Sequence, residues 1–125
     1  MASVVGIGGV FFKSKDPKAL AAWYRDKLGI EIADWGGAIF PLRDPKAAPK
    51  HAVQVWGPFK QDTDYFGPSK REYMINFEVD NLDAMIAQLK AKGVAVLKRD
   101  DSDPNGSFAW IIDPDGTKIE LWQPK

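Results

Sequence analysis

The stretch FAWIIDPDGTKIELWQP, residues 108–124, decides the fold of this chain. Two apolar runs flank DPDG (113–116), which has Asp, Pro and Gly at the first, second and fourth positions favoured in a type I turn. The pattern therefore predicts a β-hairpin. Its second strand carries one acid, Glu120, between Ile119 and Leu121, and alternation directs this side chain away from both apolar neighbours. Glu120 could hold a metal, bind a ligand or face water.

The segments before this hairpin predict a strand, a helix and a further strand. YMINFEV (73–79) is rich in β-branched and aromatic residues, as strands are. DNLDAMIAQLKAKG (80–93) has apolar residues at helical spacing and ends on Gly93, a common helix stop. VAVLKRD (94–100) predicts another strand. With the hairpin, the second half reads β-α-β-β-β.

The first half predicts the same order of elements. Asp16 suits a helix N-cap, Pro17 the first helical position and Gly29 the helix stop. Trp23 lies on the apolar face of this helix and is expected to be buried. Strands are predicted on both sides of the helix, at 4–12, 30–35, 37–43 and 51–56.

A weak internal repeat supports two similar halves. QVWGP (54–58) matches ELWQP (120–124), and matching turn and stop residues follow in the same order. We therefore predict an α+β fold, a single domain of residues 1–125 built from two βαβββ modules. The predicted boundaries are module 1 at about 1–58, a linker at about 59–71 and module 2 at about 72–125.

Composition excludes several classes of protein. The chain has 17 Lys plus Arg and 17 Asp plus Glu, so it lacks the basic excess expected for binding nucleic acid or an anionic membrane. It has no cysteine, which excludes disulfides and thiolate chemistry. No apolar run approaches the roughly 20 residues needed to cross a bilayer. The N-terminus lacks the basic start of a signal peptide, so we expect a cytoplasmic protein.

Three stretches resemble the vicinal oxygen chelate superfamily, which contains glyoxalase I, bleomycin-resistance proteins and extradiol dioxygenases. They are FFKSKDPKALAAWYRDKLGIEI (11–32), INFEVDNLDAMIAQLKAKGVAV (75–96) and the closing hairpin, which is the most specific. The resemblance implies two modules whose sheets curl around a shared cleft. It also implies a homodimer and, in many members, a divalent metal in the cleft.

The resemblance implies four metal-ligand positions, which in this chain are Gly9, Gln54, Met74 and Glu120. Glycine has no side chain, a thioether is a poor partner for hard or borderline ions, and an amide oxygen is a weak donor. This set falls short of the three protein ligands typical of a catalytic metal. We therefore expect no metal cofactor. The alternative is a non-standard site, such as one formed by Glu120 with His51, although alternation from Gln54 points His51 away from the cleft.

Strand alternation also predicts which side chains face the cleft. Apolar walls with a few fixed polar groups are typical of small-molecule sites, and tryptophan stacks on planar ligands or packs at an interface. Glu120 is the candidate catalytic residue, since a carboxylate removed from water can act as a general base. The predicted ligand-binding residues are Gln54, Trp56, Met74, Asn76, Glu78, Trp110 and Trp122.

Three functions follow from these observations. The first is metal-free binding of a small organic molecule, aromatic or planar, in the manner of bleomycin-resistance proteins. The second is an enzyme, either a lyase, an epimerase or isomerase, or a dioxygenase, that uses Glu120 as base or a non-standard metal site. The third is a structural or regulatory dimer with a collapsed cleft. In the linker, Phe59, Tyr65 and Phe66 either cover the cleft or fix the loop.

Overall fold

The computed structural model describes residues 1–41 and 53–125, which form a mixed sheet and two helices. Within these residues the seven strands lie in the order β2-β3-β1-β4-β7-β6-β5. The α+β fold predicted from the sequence is confirmed. The elements are β1 (Val4–Ser14), α1 (Pro17–Leu28), β2 (Ala38–Pro41), β3 (Val53–Lys60), β4 (Tyr73–Val79), α2 (Leu82–Ala91), β5 (Lys98–Asp100), β6 (Gly106–Ile112) and β7 (Lys118–Pro124).

The two halves meet where β1 pairs antiparallel with β4. On the outer sides of this pair, β3 runs parallel to β1 and β7 runs parallel to β4. The registers place Gly9 opposite both Val55 and Asn76, and Asn76 opposite Glu120. Val55, Gly9, Asn76 and Glu120 therefore form one row across the middle of the sheet, which we call the central row.

Both helices begin at a side-chain cap, and the cap of α1 is the Asp16 that the sequence predicts. The Asp16 side chain accepts a hydrogen bond from the backbone N–H of Ala19 at 3.1 Å, and Asn81 accepts one from Ala84 at 3.0 Å. Gly29 ends α1 in the left-handed conformation, with φ 69°.

The face that α1 turns to the sheet differs from the prediction. Ala21 is buried and the Tyr24 ring lies 4.7 Å from the Trp56 ring of β3. Trp23 is 52% exposed and touches Tyr24 from outside, so its predicted burial is wrong. Adjacent helical residues point about 100° apart. Because Tyr24 packs against the sheet, the neighbouring Trp23 points away from it.

The core of the second half lies between α2 and the sheet. It includes Val79 of β4, Leu82 and Met85 of α2, Ala109 of β6 and Leu121 of β7. The predicted apolar face of α2 is therefore confirmed. In the described part of the chain, neither helix reaches the length and apolarity that crossing a bilayer requires.

The observed strands differ from the predicted ones in their bounds, and of the strand predicted over 94–100 only Lys98–Asp100 (β5) forms. Residues 30–35 do not form a strand, because the chain turns where the Ala33 N–H bonds to the Gly37 carbonyl and Gly36 adopts a φ of 98°. β3 continues to Lys60, two residues into the segment predicted as linker. His51 lies outside the described residues.

The closing hairpin forms as predicted. The Gly116 N–H bonds to the Asp113 carbonyl at 3.0 Å, and the Asp113 side chain accepts two further N–H groups, from Asp115 and Thr117, at 2.9 Å each. These bonds hold the turn, and the turn fixes the register in which β6 lies against β7.

Candidate functional site

A cavity of about 640 Å³ lies on the face of the sheet opposite the helices. Its described lining is mostly apolar, and Glu120 is the one charged side chain among the described residues that line it. The aromatic residues of the wall are Phe11, Trp35, Phe59, Tyr65, Phe108 and Trp122.

Glu120 lies at the back of this cavity and is only 3% exposed. Its Oε2 accepts hydrogen bonds from the Tyr65 hydroxyl at 2.7 Å and the Trp110 indole N–H at 2.8 Å. Its Oε1 accepts one from the Asn76 amide at 2.7 Å. Three donors around one carboxyl group match an ionised carboxylate, which only accepts. Each bond to such a charge contributes about 1.5–3 kcal/mol. Three protein groups therefore hold Glu120 in place.

Strand register explains two of these three donors. Asn76 lies directly opposite Glu120 across the β4–β7 pair, and Trp110 lies directly opposite it across the β6–β7 pair. Side chains at opposed positions share a face and lie within hydrogen-bonding reach. The two neighbouring strands therefore deliver one donor each to the carboxylate.

The third donor comes from the loop between β3 and β4. Lys118 donates to the Tyr65 carbonyl at 2.5 Å and lies over the Tyr65 ring, and the ring stacks on Phe59 at 5.3 Å. Burial lowers the pKa of the Lys118 ammonium. Phe66 is buried, while Tyr65 lines the cavity. The loop aromatics thus both cover the cleft and fix the loop.

Tyr65 is expected to remain protonated in the folded protein at alkaline pH. Burial, and then the charge and hydrogen bond of Glu120, raise the pKa of its hydroxyl well above the usual value of about 10. In the unfolded chain the same hydroxyl ionises near pH 10. The native state therefore binds more protons there, and stability falls as pH rises above about 10.

An absorbance titration of tyrosinate tests this expectation. Folded wild type and Tyr65→Phe should give equal tyrosinate signals up to the pH of unfolding, after which wild type gains one more tyrosinate. A smaller signal from the variant before unfolding would contradict the assignment.

The structure brings several of the predicted ligand-binding residues to the cavity. Met74, Asn76 and Trp122 line it together with Glu120. Trp110 lies behind Glu120 and holds it in place rather than lining the cavity. Glu78 is buried at 9% exposure and is not part of the lining. Contact of any of these side chains with a ligand stays a prediction.

Gln54 and Trp56 lie on the wrong face for the predicted role. Val53 and Val55 line the cavity instead, and Gln54 is exposed. Trp56 packs on the helix side against Phe12, at 5.4 Å between ring centroids. The match of QVW with ELW is one residue out of the spatial register, and a one-residue shift moves every side chain of a strand to the other face.

The central row shows how the described residues fit the metal site that the superfamily resemblance implies. Its members are Gly9, Val55, Asn76 and Glu120, so Val55 takes the place assigned to Gln54 and Asn76 that assigned to Met74. Glycine and valine offer no ligand atom. Hydrogen bonds from Asn76, Tyr65 and Trp110 occupy lone pairs of Glu120 that a metal ion would need. Residues 1–41 and 53–125 contain no group of three His, Cys, Asp or Glu placed to hold a metal. The side chains of the central row therefore do not form a ligand set that fits a divalent metal ion.

The position of Asn76 also explains why residue 8 is a glycine. A β-carbon on Gly8 would lie well inside van der Waals distance of Asn76 Oδ1 and 3.0 Å from the Trp122 ring. Gly8 sits at an irregularity in the β1–β4 pairing, between Ile7 and Gly9. Its missing side chain leaves the space that Asn76 fills. Asn76 Oδ1 is buried there without a hydrogen-bond donor among the described residues.

The family model of a glyoxalase-like domain matches residues 9–122, and the chain belongs to this family, within the vicinal oxygen chelate superfamily. No curated protein matches the chain at a significant level.

Solved structures of the same fold include two epimerases and a glyoxalase. Methylmalonyl-CoA epimerase from Mycobacterium tuberculosis is 24% identical, with 98% of this chain and 89% of that chain covered and a TM-score of 0.62. A Streptomyces coelicolor methylmalonyl-CoA epimerase in complex with 2-nitronate-propionyl-CoA is 18% identical, with 98% and 99% covered and a TM-score of 0.71. The Mn(II)-bound glyoxalase from Novosphingobium aromaticivorans is 21% identical, with 98% of this chain but 40% of that chain covered and a TM-score of 0.59. At these identities the likeness concerns the fold.

Proposed function

We propose that this protein binds a small organic molecule in the cavity, with a planar apolar part against the aromatic wall and a hydrogen-bond donor at Glu120. The observation that carries the proposal is one buried carboxylate at the back of an aromatic cavity of about 640 Å³. Ligand sites have volumes of about 300–1,000 Å³, mostly apolar walls and few polar groups.

The aromatic wall is held in a fixed geometry. The rings of Phe108 and Trp122 lie 6.1 Å apart with an interplanar angle of 7°. The Trp122 indole N–H donates to the Asn105 carbonyl at 2.9 Å, which fixes the indole plane. A planar ligand that stacks here meets a surface that loses little conformational freedom on binding.

Glu120 retains capacity to accept a hydrogen bond from a ligand. Each carboxylate oxygen has about two acceptor sites, and Oε1 accepts one bond, from Asn76. The carboxylate itself is part of the cavity lining. We therefore expect a hydrogen-bond donor on the ligand to bond to this carboxylate.

Matched substitutions in β3 test the binding function. Val55→Trp places an indole inside the cavity, whereas Gln54→Trp places the same side chain on the opposite, exposed face. With a panel of planar compounds, we expect thermal stabilisation and quenching of tryptophan fluorescence in wild type and in Gln54→Trp, and neither in Val55→Trp. Failure of every compound in a broad panel, or equal responses from both variants, would refute the proposal.

A second candidate function is proton transfer with Glu120 as base. The Glu120 carboxylate is part of the cavity lining, and two solved structures of the same fold are named methylmalonyl-CoA epimerases. On this view Glu120 removes a proton next to a thioester carbonyl. Incubation with methylmalonyl-CoA in heavy water should give deuterium incorporation that Glu120→Gln abolishes while binding persists. No incorporation by wild type would exclude this candidate for that substrate.

The homodimer and the cytoplasmic location stay predictions. A second copy would cover apolar surface such as Trp23 and Trp35, which are 52% and 53% exposed. Light scattering on the purified protein gives the mass in solution and decides between monomer and dimer.

A further inference from the structure

We infer that the molecule bound at Glu120 carries a positive charge, as a protonated amine attached to a planar ring. The inference rests on the proposed binding function and adds the charge of the ligand. It follows from the chemistry around the carboxylate.

Among the described residues, no Lys or Arg forms a direct ion pair with Glu120, and Lys118 attracts its charge only from a greater distance. The three partners of Glu120, Tyr65, Trp110 and Asn76, are neutral donors. Over residues 1–41 and 53–125, no Lys or Arg nitrogen lies within 4.0 Å of its carboxylate. A charge buried to 3% exposure without a direct ion-pair partner is unfavourable, and a cation in the cavity would offset this cost.

Two lysines near the site lie outside the cavity. Lys118 Nζ donates to the Tyr65 carbonyl and lies 5.6 Å from the centre of the Trp110 ring. Lys98 Nζ lies 5.9 Å from that ring. Neither lysine belongs to the cavity lining. Their ammonium groups therefore leave the cavity side of Glu120 available to another cation.

The walls beside Glu120 suit a cation as well as a planar ring. Tyr65, Phe108 and Trp122 all line the cavity. Aromatic faces attract ammonium groups, and this attraction grows when water is excluded. Lys118 lies 5.1 Å from the centre of the Tyr65 ring, so one of these rings already holds an ammonium group on one side.

The same geometry disfavours an anionic ligand. A carboxylate or phosphate beside Glu120 would place like charges together with no cation in the described lining to separate them. Like charges brought together at a site cost several kcal/mol. The sign of the ligand's charge therefore distinguishes this site from one built for acidic substrates.

Three indoles that differ only in the group at the end of a short chain test the inference. Tryptamine is a cation at pH 7, indole-3-ethanol is neutral and indole-3-acetate is an anion. In calorimetric titrations of wild type, we expect tryptamine to bind about tenfold tighter than indole-3-ethanol, and indole-3-acetate to bind weakest. In Glu120→Gln the preference for tryptamine should disappear. Glu72→Gln, which removes an exposed carboxylate outside the cavity, should keep the preference.

The outcomes separate this inference from the binding function on which it rests. Equal affinity for the three indoles, or tighter binding of indole-3-acetate, overturns the inference and leaves the binding function standing. Failure of all three indoles to bind, while other planar compounds stabilise the protein, also overturns it. Failure of the whole planar panel removes the binding function itself. The comparison within wild type decides the matter even where Glu120→Gln does not fold.

Discussion

Gly8→Val is expected to lower the free energy of unfolding by about 2–5 kcal/mol and to abolish binding in the cavity. The new side chain would collide with Asn76 Oδ1 and press on the Trp122 ring. Asn76 would have to move, and its bond to Glu120 would be lost. The expected destabilisation combines the cost of overpacking with the loss of one hydrogen bond to a charge.

Gly6→Val is the matched control in the same strand. A β-carbon at Gly6 meets no atom within 4 Å, and neither glycine has the positive φ that would strain a valine. The control is therefore expected to change stability by no more than about 0.5 kcal/mol. Urea unfolding of wild type and both variants measures the difference. Similar losses in the two variants would show that Gly8 has no special place beside Asn76.

Trp110→Phe should be the second large effect, with a loss of about 2–4 kcal/mol of stability. The substitution keeps an aromatic ring but removes the indole N–H that donates to Glu120 Oε2 at 2.8 Å. Glu120 would retain two donors, from Tyr65 and Asn76, while its charge stayed buried. The loss is large because a hydrogen bond to a charged group contributes about 1.5–3 kcal/mol.

Trp122→Phe provides the comparison. Its indole N–H also donates to a protein oxygen, but to the neutral carbonyl of Asn105 at 2.9 Å. Trp110 and Trp122 have nearly equal burial, at 7% and 8% exposure, so the lost apolar area is similar. We expect Trp110→Phe to cost roughly 1–2 kcal/mol more than Trp122→Phe, because bonds to charged groups are about twice as strong. Equal losses in denaturant unfolding would argue that Glu120 carries no charge in the folded protein.

The parts of the fold that sequence predicted well are those with strong local signals. The DPDG turn fixes the final hairpin through bonds within the turn itself, and the helix cap at Asp16 acts within one helical turn. Glu120 was found because an acid between Ile119 and Leu121 breaks an apolar pattern. Local chemistry was sufficient for these features.

Register was harder to predict because it depends on pairing between distant strands. Gln54 and Trp56 were assigned to the cleft through a short sequence match, but the parallel pair of β1 and β3 sets Val55 opposite Gly9. Pairing with β1 decides which alternate residues of β3 face the cavity, and the short sequence match was shifted by one residue from this register. The cavity walls Val53 and Val55 were missed for this reason.

The remaining differences between prediction and structure arise from tertiary contacts that local sequence patterns do not determine. Trp23 and Tyr24 are adjacent on α1, and helical spacing alone does not decide which ring faces the sheet. For Tyr65 of the β3–β4 loop the sequence leaves two alternatives, covering the cleft or fixing the loop, because its bond to Glu120 depends on how Lys118 and Phe59 hold the loop. Contacts of this kind join residues that are far apart in the chain, so no sequence pattern reports them.

In the central row, different halves of the chain supply the polar side chains and the residues that shape the cavity. Its polar members, Asn76 and Glu120, come from the second half of the chain, whereas Gly9 and Val55 come from the first. Substitutions at Val53 or Val55 can therefore resize the pocket without removing any donor to the carboxylate. The first half of the chain therefore shapes the cavity and the second half places its charge, so the width of the cavity can change while the position of the charge is kept.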